Sequence, residues 1–356
     1  MSALDADSEG EEGRFYIWTL EELRDVLGED AEDAISWFGA SERGNFEGRN
    51  ILTRGEGEPP ARLPEMRCRL YGARAQRVWP GLDDKRLCAW NALMISALAD
   101  AGAVLRAPAY VEAARECADF VLASMRDPAG RLLRTYKDGE ARLNAYLEDH
   151  AFLLEALLSL YEATFEPRWF VAAREIADAT IDRFADPEHG GFFETSSDHE
   201  RLVARRKDLE DNPIPAGNSS GAYGLLRLAA LTGEHAYERH AEGVFRLVGR
   251  LAPQHPQAFA HLLQAIDFRL ARVREVALVG EDLEPLDRAV RARFRPHLVL
   301  AGTLRADGEA GGDGAPPLLR GRTPVDGRAA AYVCEGFACR RPVTEPAELA
   351  ALLDAS

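Results

Sequence analysis

The chain has 356 residues, enough to bury a large core and to divide into one large and one smaller domain. Its formal charge of −16 argues against a nucleic-acid partner, which needs a basic face. A hydrophobic share of 46% with no unbroken apolar run of about 18 residues describes a globular chain without an expected membrane span. The acidic stretch 1–13 lacks the apolar run of a signal peptide, so a cytoplasmic location is expected. Five scattered cysteines do not make a disulfide framework.

In chain order, residues 1–13 read as loop. Phe15-Tyr16-Ile17-Trp18 reads as a short strand, and Thr19 with Glu22 forms a capping box for a helix buried through Leu20, Leu23 and Leu27. A short helix is expected at 30–38, a turn at Gly44-Asn45-Phe46-Glu47-Gly48, a strand at 50–52 and loop at 54–64. Three helix pairs follow, at 85–103 with 108–125, 146–164 with 168–184, and 218–231 with 235–251. Segments 110–114, 169–173 and 236–241 open the second helix of each pair, a repeat of roughly 60 to 70 residues. Hairpins are expected at 132–136 with a turn at Lys137-Asp138-Gly139, and at 191–195 with 202–204. Another helix spans 256–270.

After Ala271 the pattern becomes strand (276–280), helix (283–294), strand (298–301), Gly-rich loop (307–314), strand (329–333) and helix (345–353). The expected organisation is a mainly α domain at 1–272 and a small α/β segment at 273–356. Helical hairpins of this length cannot bury their apolar faces alone and must stack, and stacking in a circle makes an α/α toroid.

Three polar clusters stand at the starts of the leading helices. They are Asp83-Asp84-Lys85 with Trp90-Asn91, then Glu148-Asp149-His150, then Arg206-Lys207-Asp208 with Asp211 and Asn218. Stacked in register, they converge on one mouth whose carboxylates, cations and aromatic walls suit a carbohydrate. Asp84, Glu148, Asp149, Asp208 and His150 are the candidates for proton transfer. Asp83, Lys85, Trp90, Asn91, Arg206, Lys207, Asp211 and Asn218 are the candidate ligand-binding residues, joined by Asp5 and Asp7 from the N-terminal loop. Each acid has a second reading as a helix cap, Trp90 as core, and the third cluster as an ion-pair network. Asp5-Ala6-Asp7-Ser8-Glu9-Gly10 starts like a calcium loop but has Tyr16 where a bidentate Glu belongs, so no metal is expected. No cofactor motif is present. Cys334 and Cys339 read first as two buried thiols and second as a redox or metal pair.

These residues resemble a known family. The stretch 3–10, Gly44-Asn45-Phe46-Glu47-Gly48, Asp83-Asp84-Lys85…Trp90-Asn91, Leu147-Glu148-Asp149, Lys207-Asp208 with Gly217-Asn218-Ser219, and Ala331-Tyr332-Val333-Cys334 are similar to thioredoxin-domain proteins of the YyaL and spermatogenesis-associated type. The resemblance implies a partial (α/α)6 toroid like those of N-acylglucosamine 2-epimerases and six-hairpin glycosidases. It also implies that the thioredoxin-like domain and the first hairpins of the ring are missing here, as in a gene fragment or a chain that pairs with itself or with the missing half. Ala92 stands where a Gly is usual, and His150 where a Tyr is. Two functions are expected from different classes: a sugar epimerase or glycoside hydrolase, or a non-catalytic scaffold serving a thioredoxin-like domain in redox or protein-quality work.

Overall fold

The computed structural model describes residues 3–200, 203–303 and 314–355. They form two compact units, Met1–Lys85 and Arg86–Ser356.

The first unit carries short strands where loop was expected. β1 (Ala3–Leu4) pairs with β4 (Leu82–Asp83), and β2 (Asp7–Ser8) with β3 (Glu11–Glu12). The strand expected at 15–18 does not form. The N–H groups of Tyr16 and Ile17 bond back to the Gly13 carbonyl, and only Trp18 makes a bridge, to Asn50. Phe15, Ile17 and Trp18 are all buried, so the run is apolar because a turn is buried, not because a strand alternates. α1 (Leu20–Leu27) starts at the expected capping box, with Glu22 N–H donating to Thr19 Oγ1 at 3.1 Å. α2 (Ala31–Phe38) follows as expected. α3 (Leu63–Ala75) was not expected, because its arginine-rich sequence buries only Met66 and Leu70. These helices close a small core around Trp18, Leu23, Leu27 and Met66.

The second unit begins with β5 (Arg86–Leu87), which pairs with the hairpin of β6 (Leu133–Lys137) and β7 (Glu140–Asn144). The turn of that hairpin places Asp138 and Gly139 at positive φ, as a two-residue connection requires. The expected helix pairs form as α4 (Cys88–Leu105) with α5 (Pro108–Ser124), α6 (Leu147–Thr164) with α7 (Pro167–Phe184), and α8 (Gly217–Thr232) with α9 (His235–Val248). α10 (Ala260–Leu270) follows a 3-10 turn. α4, α6, α8 and α10 pack side by side in that order, while α5, α7 and α9 each lie against the helix before them. Two layers of helical hairpins so arranged are part of an α/α toroid. α6 is buried nearly all round, because helices flank it on both sides and cover its back.

α4 corrects the membrane reading. By length and composition it could cross a bilayer, with a mean hydropathy of 1.5. Asn91, Ser96 and Asp100 interrupt its apolar run without lowering that mean much. It packs against α5 and α6, with about a third of its residues buried. Its remaining edge leaves Trp90, Met94, Val104 and Leu105 exposed.

The segment after α10 forms a sheet of order β11-β10-β8-β9, with β8 (Arg274–Val279) parallel to β9 (Leu298–Thr303) and β10 (Ala330–Glu335) antiparallel to both β8 and β11 (Ala338–Cys339). α11 (Glu284–Arg291) connects the parallel pair, and α12 (Pro346–Asp354) ends the chain. The sheet is covered on both faces. Val276, Leu278 and Leu300 face α11 and α12, while Ala277, Val279, Val299 and Ala301 join the core of the helical hairpins. Residues 273–356 thus share a core with the toroid helices, and the division between units falls at Lys85 instead. At the seam, a Cβ on Gly302 would stand 2.6 Å from the Phe165 ring. Of the expected strand at 202–204, residues 203–204 are described and form no strand, and of the Gly-rich loop at 307–314 only Gly314 is described.

Candidate functional site

The N-termini of the leading helices hold most of the sequence-predicted residues, and the structure uses several of them as fasteners. Asp149 is fully buried and both its oxygens are occupied. Oδ1 accepts the Ala89 N–H at 2.9 Å, and Oδ2 accepts the Tyr146 N–H at 2.9 Å and Arg134 Nη1 at 3.0 Å. One carboxylate therefore caps α4 and α6 together. Asp211 does the same for the next pair, accepting the Ala216 N–H at 2.8 Å and the His261 N–H at 2.8 Å at the starts of α8 and α10. Asn218 is also fully buried: its amide accepts the Phe192 N–H and donates to the carbonyls of Phe192 and Asp208.

The second and third clusters meet. Gly217 lies against α6 so closely that a Cβ would stand 3.0 Å from the Glu148 nitrogen. Around this junction Glu148 accepts Arg134 Nη1 at 2.7 Å, and the Arg134 guanidinium lies 4.6 Å from the Tyr146 ring centroid. Lys207 Nζ donates to Asp186 Oδ2 at 2.7 Å and to the Gly190 carbonyl at 2.6 Å. That hydrogen bond holds the Asp186 carboxyl well below the usual carboxylate range. Arg206 and Asp208 are exposed. Trp90 is exposed on α4, and Asn91 is turned toward α5, accepting the Cys117 thiol at 3.4 Å and donating to the Leu87 carbonyl at 2.7 Å. Asp5, Asp7, Asp83, Asp84 and Lys85 belong to the first unit. There Lys85 Nζ pairs with Asp83 at 2.6 Å, Asp5 accepts the Asp7 N–H at 3.3 Å, and Asp84 is half-buried.

His150 is buried, with Nδ1 3.1 Å from the Tyr146 carbonyl and its ring 4.9 Å from that of Phe184. Burial lowers its pKa from 6.5 to about 4, so it is neutral near pH 7 and cannot shuttle protons to solvent. Burial acts on Asp149 in the opposite sense and raises it from 3.8 to about 6, against the Arg134 charge. The linkage signs oppose. As pH falls from 6.5 through 4, the unfolded state protonates His150 first and stability is lost. As pH falls from 6 through 3.8, the folded state protonates Asp149 first and stability is gained. In the native chain the two contributions therefore oppose each other over this range. His150→Phe is therefore expected to gain stability relative to the native chain as the pH drops from 7 to about 4.5, read as the urea midpoint at both values. Parallel losses in the two proteins would show that His150 is not held neutral.

A second group of polar residues was not anticipated. Ser96 and Asp100 of α4, Glu155, Ser159 and Glu162 of α6, Tyr223 and Arg227 of α8, and His261 of α10 lie on the face these four helices share. Arg227 Nη2 pairs with Glu162 Oε2 at 3.1 Å, and Nη1 donates to Ser159 Oγ at 3.3 Å. Ser96 Oγ donates to Ser159 Oγ at 3.3 Å, and His261 Nε2 lies 3.0 Å from Glu155 Oε1. The Tyr223 ring stands edge-on to His261 at 5.7 Å. Burial raises the Glu162 carboxyl, with the Arg227 charge offsetting part of the effect. Burial opposes protonation of His261, but its hydrogen bond and charge interaction with Glu155 outweigh it and the pKa is raised. The signal was present in the sequence: residues 155, 159 and 162 form an i, i+4, i+7 polar stripe in a leucine-rich helix. Among the described residues no three His, Cys, Asp or Glu side chains gather as metal ligands do.

Comparison with known proteins agrees with the helical architecture. The family model for N-acylglucosamine 2-epimerase (GlcNAc 2-epimerase) matches residues 76–212. Over the whole chain, the similarity is to spermatogenesis-associated protein 20. The Homo sapiens protein is 31% identical over 407 residues, covering 99% of this chain and 51% of its own length. The Rattus norvegicus protein is also 31% identical, over 410 residues and with the same coverage. An uncharacterized Caenorhabditis elegans protein is 25% identical, over 96% of this chain and 52% of its own. The chain thus spans about half the length of the curated relatives it matches. Among solved structures, cellobiose 2-epimerase from Spirochaeta thermophila gives a TM-score of 0.41 at 20% identity, over 49% of this chain and 46% of that one. The α-1,6-mannanase of Salegentibacter gives 0.38 at 17%, over 67% and 62%.

Proposed function

We propose that the face shared by α4, α6, α8 and α10 is a carbohydrate site of the epimerase kind, with proton transfer next to a sugar carbonyl as its chemistry. The observation that supports this most is the His261–Glu155 pair at 3.0 Å, set on the same face as the Glu162–Arg227 pair. An imidazole oriented by a carboxylate is a general base whose working range lies near neutral pH. Tyr223 supplies an aromatic wall for a sugar ring, and Arg227, buried against Glu162 and Ser159, keeps the face's acids paired beneath it. On this reading Glu148, Arg206, Lys207 and Asp208, near the starts of α6 and α8, bind further hydroxyl groups.

A glycosidase reading is weaker. Glu155 and Glu162 are two turns apart on one helix, a rise of about 10.5 Å. Retaining enzymes need their carboxyl groups about 5 Å apart, and inverting enzymes at most about 9.5 Å. Asp100 and Glu162 both face Arg227, which holds them as its counter-charges.

Incubation with reducing aldoses in heavy water tests the reading. The expected result is deuterium at the carbon beside the carbonyl, slowed at least about 100-fold by His261→Gln with melting unchanged. Sugar binding without any exchange would remove the chemistry and favour a non-catalytic carbohydrate-binding module.

A further inference from the structure

Cys334 and Cys339 face each other across the register of β10 and β11 and are joined by a disulfide. This corrects the expectation of two buried thiols. The hairpin does not depend on the bond for its shape. Gly336 and Phe337 both take positive φ in a tight two-residue turn, the Phe337 N–H is held by Glu275 Oε2 at 2.7 Å, and β10 pairs with β8 from Ala330 to Cys334. A cross-link closing so short a loop also removes little chain entropy.

The two sulfurs differ in access. Cys334 is fully buried, while Cys339 is exposed on β11, the edge strand of the sheet. Arg322 is only 8% exposed, and its Nη2 points at both, 2.8 Å from Cys339 Sγ and 3.3 Å from Cys334 Sγ. Its Nε has no hydrogen-bond partner. A guanidinium buried and aimed at two sulfurs is placed to stabilise a thiolate.

We infer that Cys334–Cys339 is a redox-active disulfide that oxidises a dithiol able to reach the exposed Cys339. A thiolate of the dithiol attacks the accessible Cys339 Sγ. The Cys334–Cys339 bond breaks, and Cys334 leaves as a thiolate beside Arg322. The second thiol of the dithiol then attacks its own sulfur in the mixed disulfide, releasing Cys339. The dithiol ends as a disulfide, oxidised by two electrons, and its two protons end on Cys334 and Cys339.

The test uses the full chain, oxidised with glutathione disulfide and then mixed with excess dithiothreitol under native conditions. Thiols are trapped with iodoacetamide and located by mass spectrometry. The expected result is reduction of Cys334–Cys339 about tenfold faster than that of glutathione disulfide itself, with Arg322→Gln about tenfold slower than the native chain and Arg322→Lys near it. Failure of the two cysteines to pair on oxidation, or reduction only after denaturant is added, overturns the inference on the native chain alone, whether or not the variants fold. An unchanged rate in a folded Arg322→Gln overturns the role of the guanidinium and with it the inference.

Discussion

Arg227→Met is expected to destabilise the protein by about 3–5 kcal/mol, the usual effect of stranding one member of a buried ion pair. Arg227 and Glu162 are both largely removed from water and stand 3.1 Å apart. Glu162 Oε1 has no hydrogen-bond partner among the described residues, so once the guanidinium is gone the Leu300 N–H and the Arg291 charge are left to favour the buried carboxylate. Its pKa, already raised by burial, rises further, and the variant regains stability as the pH is lowered toward that value. The double variant Glu162→Leu with Arg227→Met removes both charges from the low-dielectric interior and is expected to recover most of the loss. Urea unfolding of the three proteins measures this. A single variant as stable as the native chain would mean that solvent reaches Glu162 freely.

Asp149→Ala is expected to cost about 2–4 kcal/mol, because it removes two helix caps and an arginine contact at once. The Ala89 and Tyr146 N–H groups lose their acceptor, and Arg134 keeps only Glu148. Asp149→Asn should recover only part, since an amide can satisfy the Ala89 N–H but turns a donor toward Tyr146 and Arg134. This separates fastening from catalysis. A carboxylate whose task is proton transfer would lose activity on substitution while melting stayed put. Here melting is expected to fall first. An unchanged melting temperature in Asp149→Ala would return Asp149 to the catalytic candidates.

The helical hairpins were legible because each leading helix carries its apolar residues at helical spacing, and α6 and α7 begin and end within a residue or two of where that spacing placed them. The same local signals misled where burial and secondary structure part company. The run Phe15-Tyr16-Ile17-Trp18 is apolar enough for a strand but folds as a buried turn. α3 carries too little apolar pattern to announce itself. The site was harder for a physical reason. An acid in the first turn of a helix has the same sequence signature whether it caps backbone donors or transfers protons, so Asp149, Asp211 and Asn218 drew attention that their contacts do not repay with free groups. Glu155, Glu162 and Arg227 sit about two to four turns deeper while His261 opens α10, and their meeting depends on four helices aligning, which no local pattern states. The disulfide was hidden likewise. The spacing of Cys334 and Cys339 fits no short motif, and only a two-residue turn brings them opposite each other.

Thermal unfolding of the full chain with a panel of aldoses and disaccharides is the most direct test of the carbohydrate site. At a sugar concentration ten times its Kd, the native chain should melt about 2 °C higher. The same sugar should leave a folded Tyr223→Ala variant unmoved. No shift with any sugar, or a shift that Tyr223→Ala keeps in full, would contradict the assignment of this face to carbohydrate.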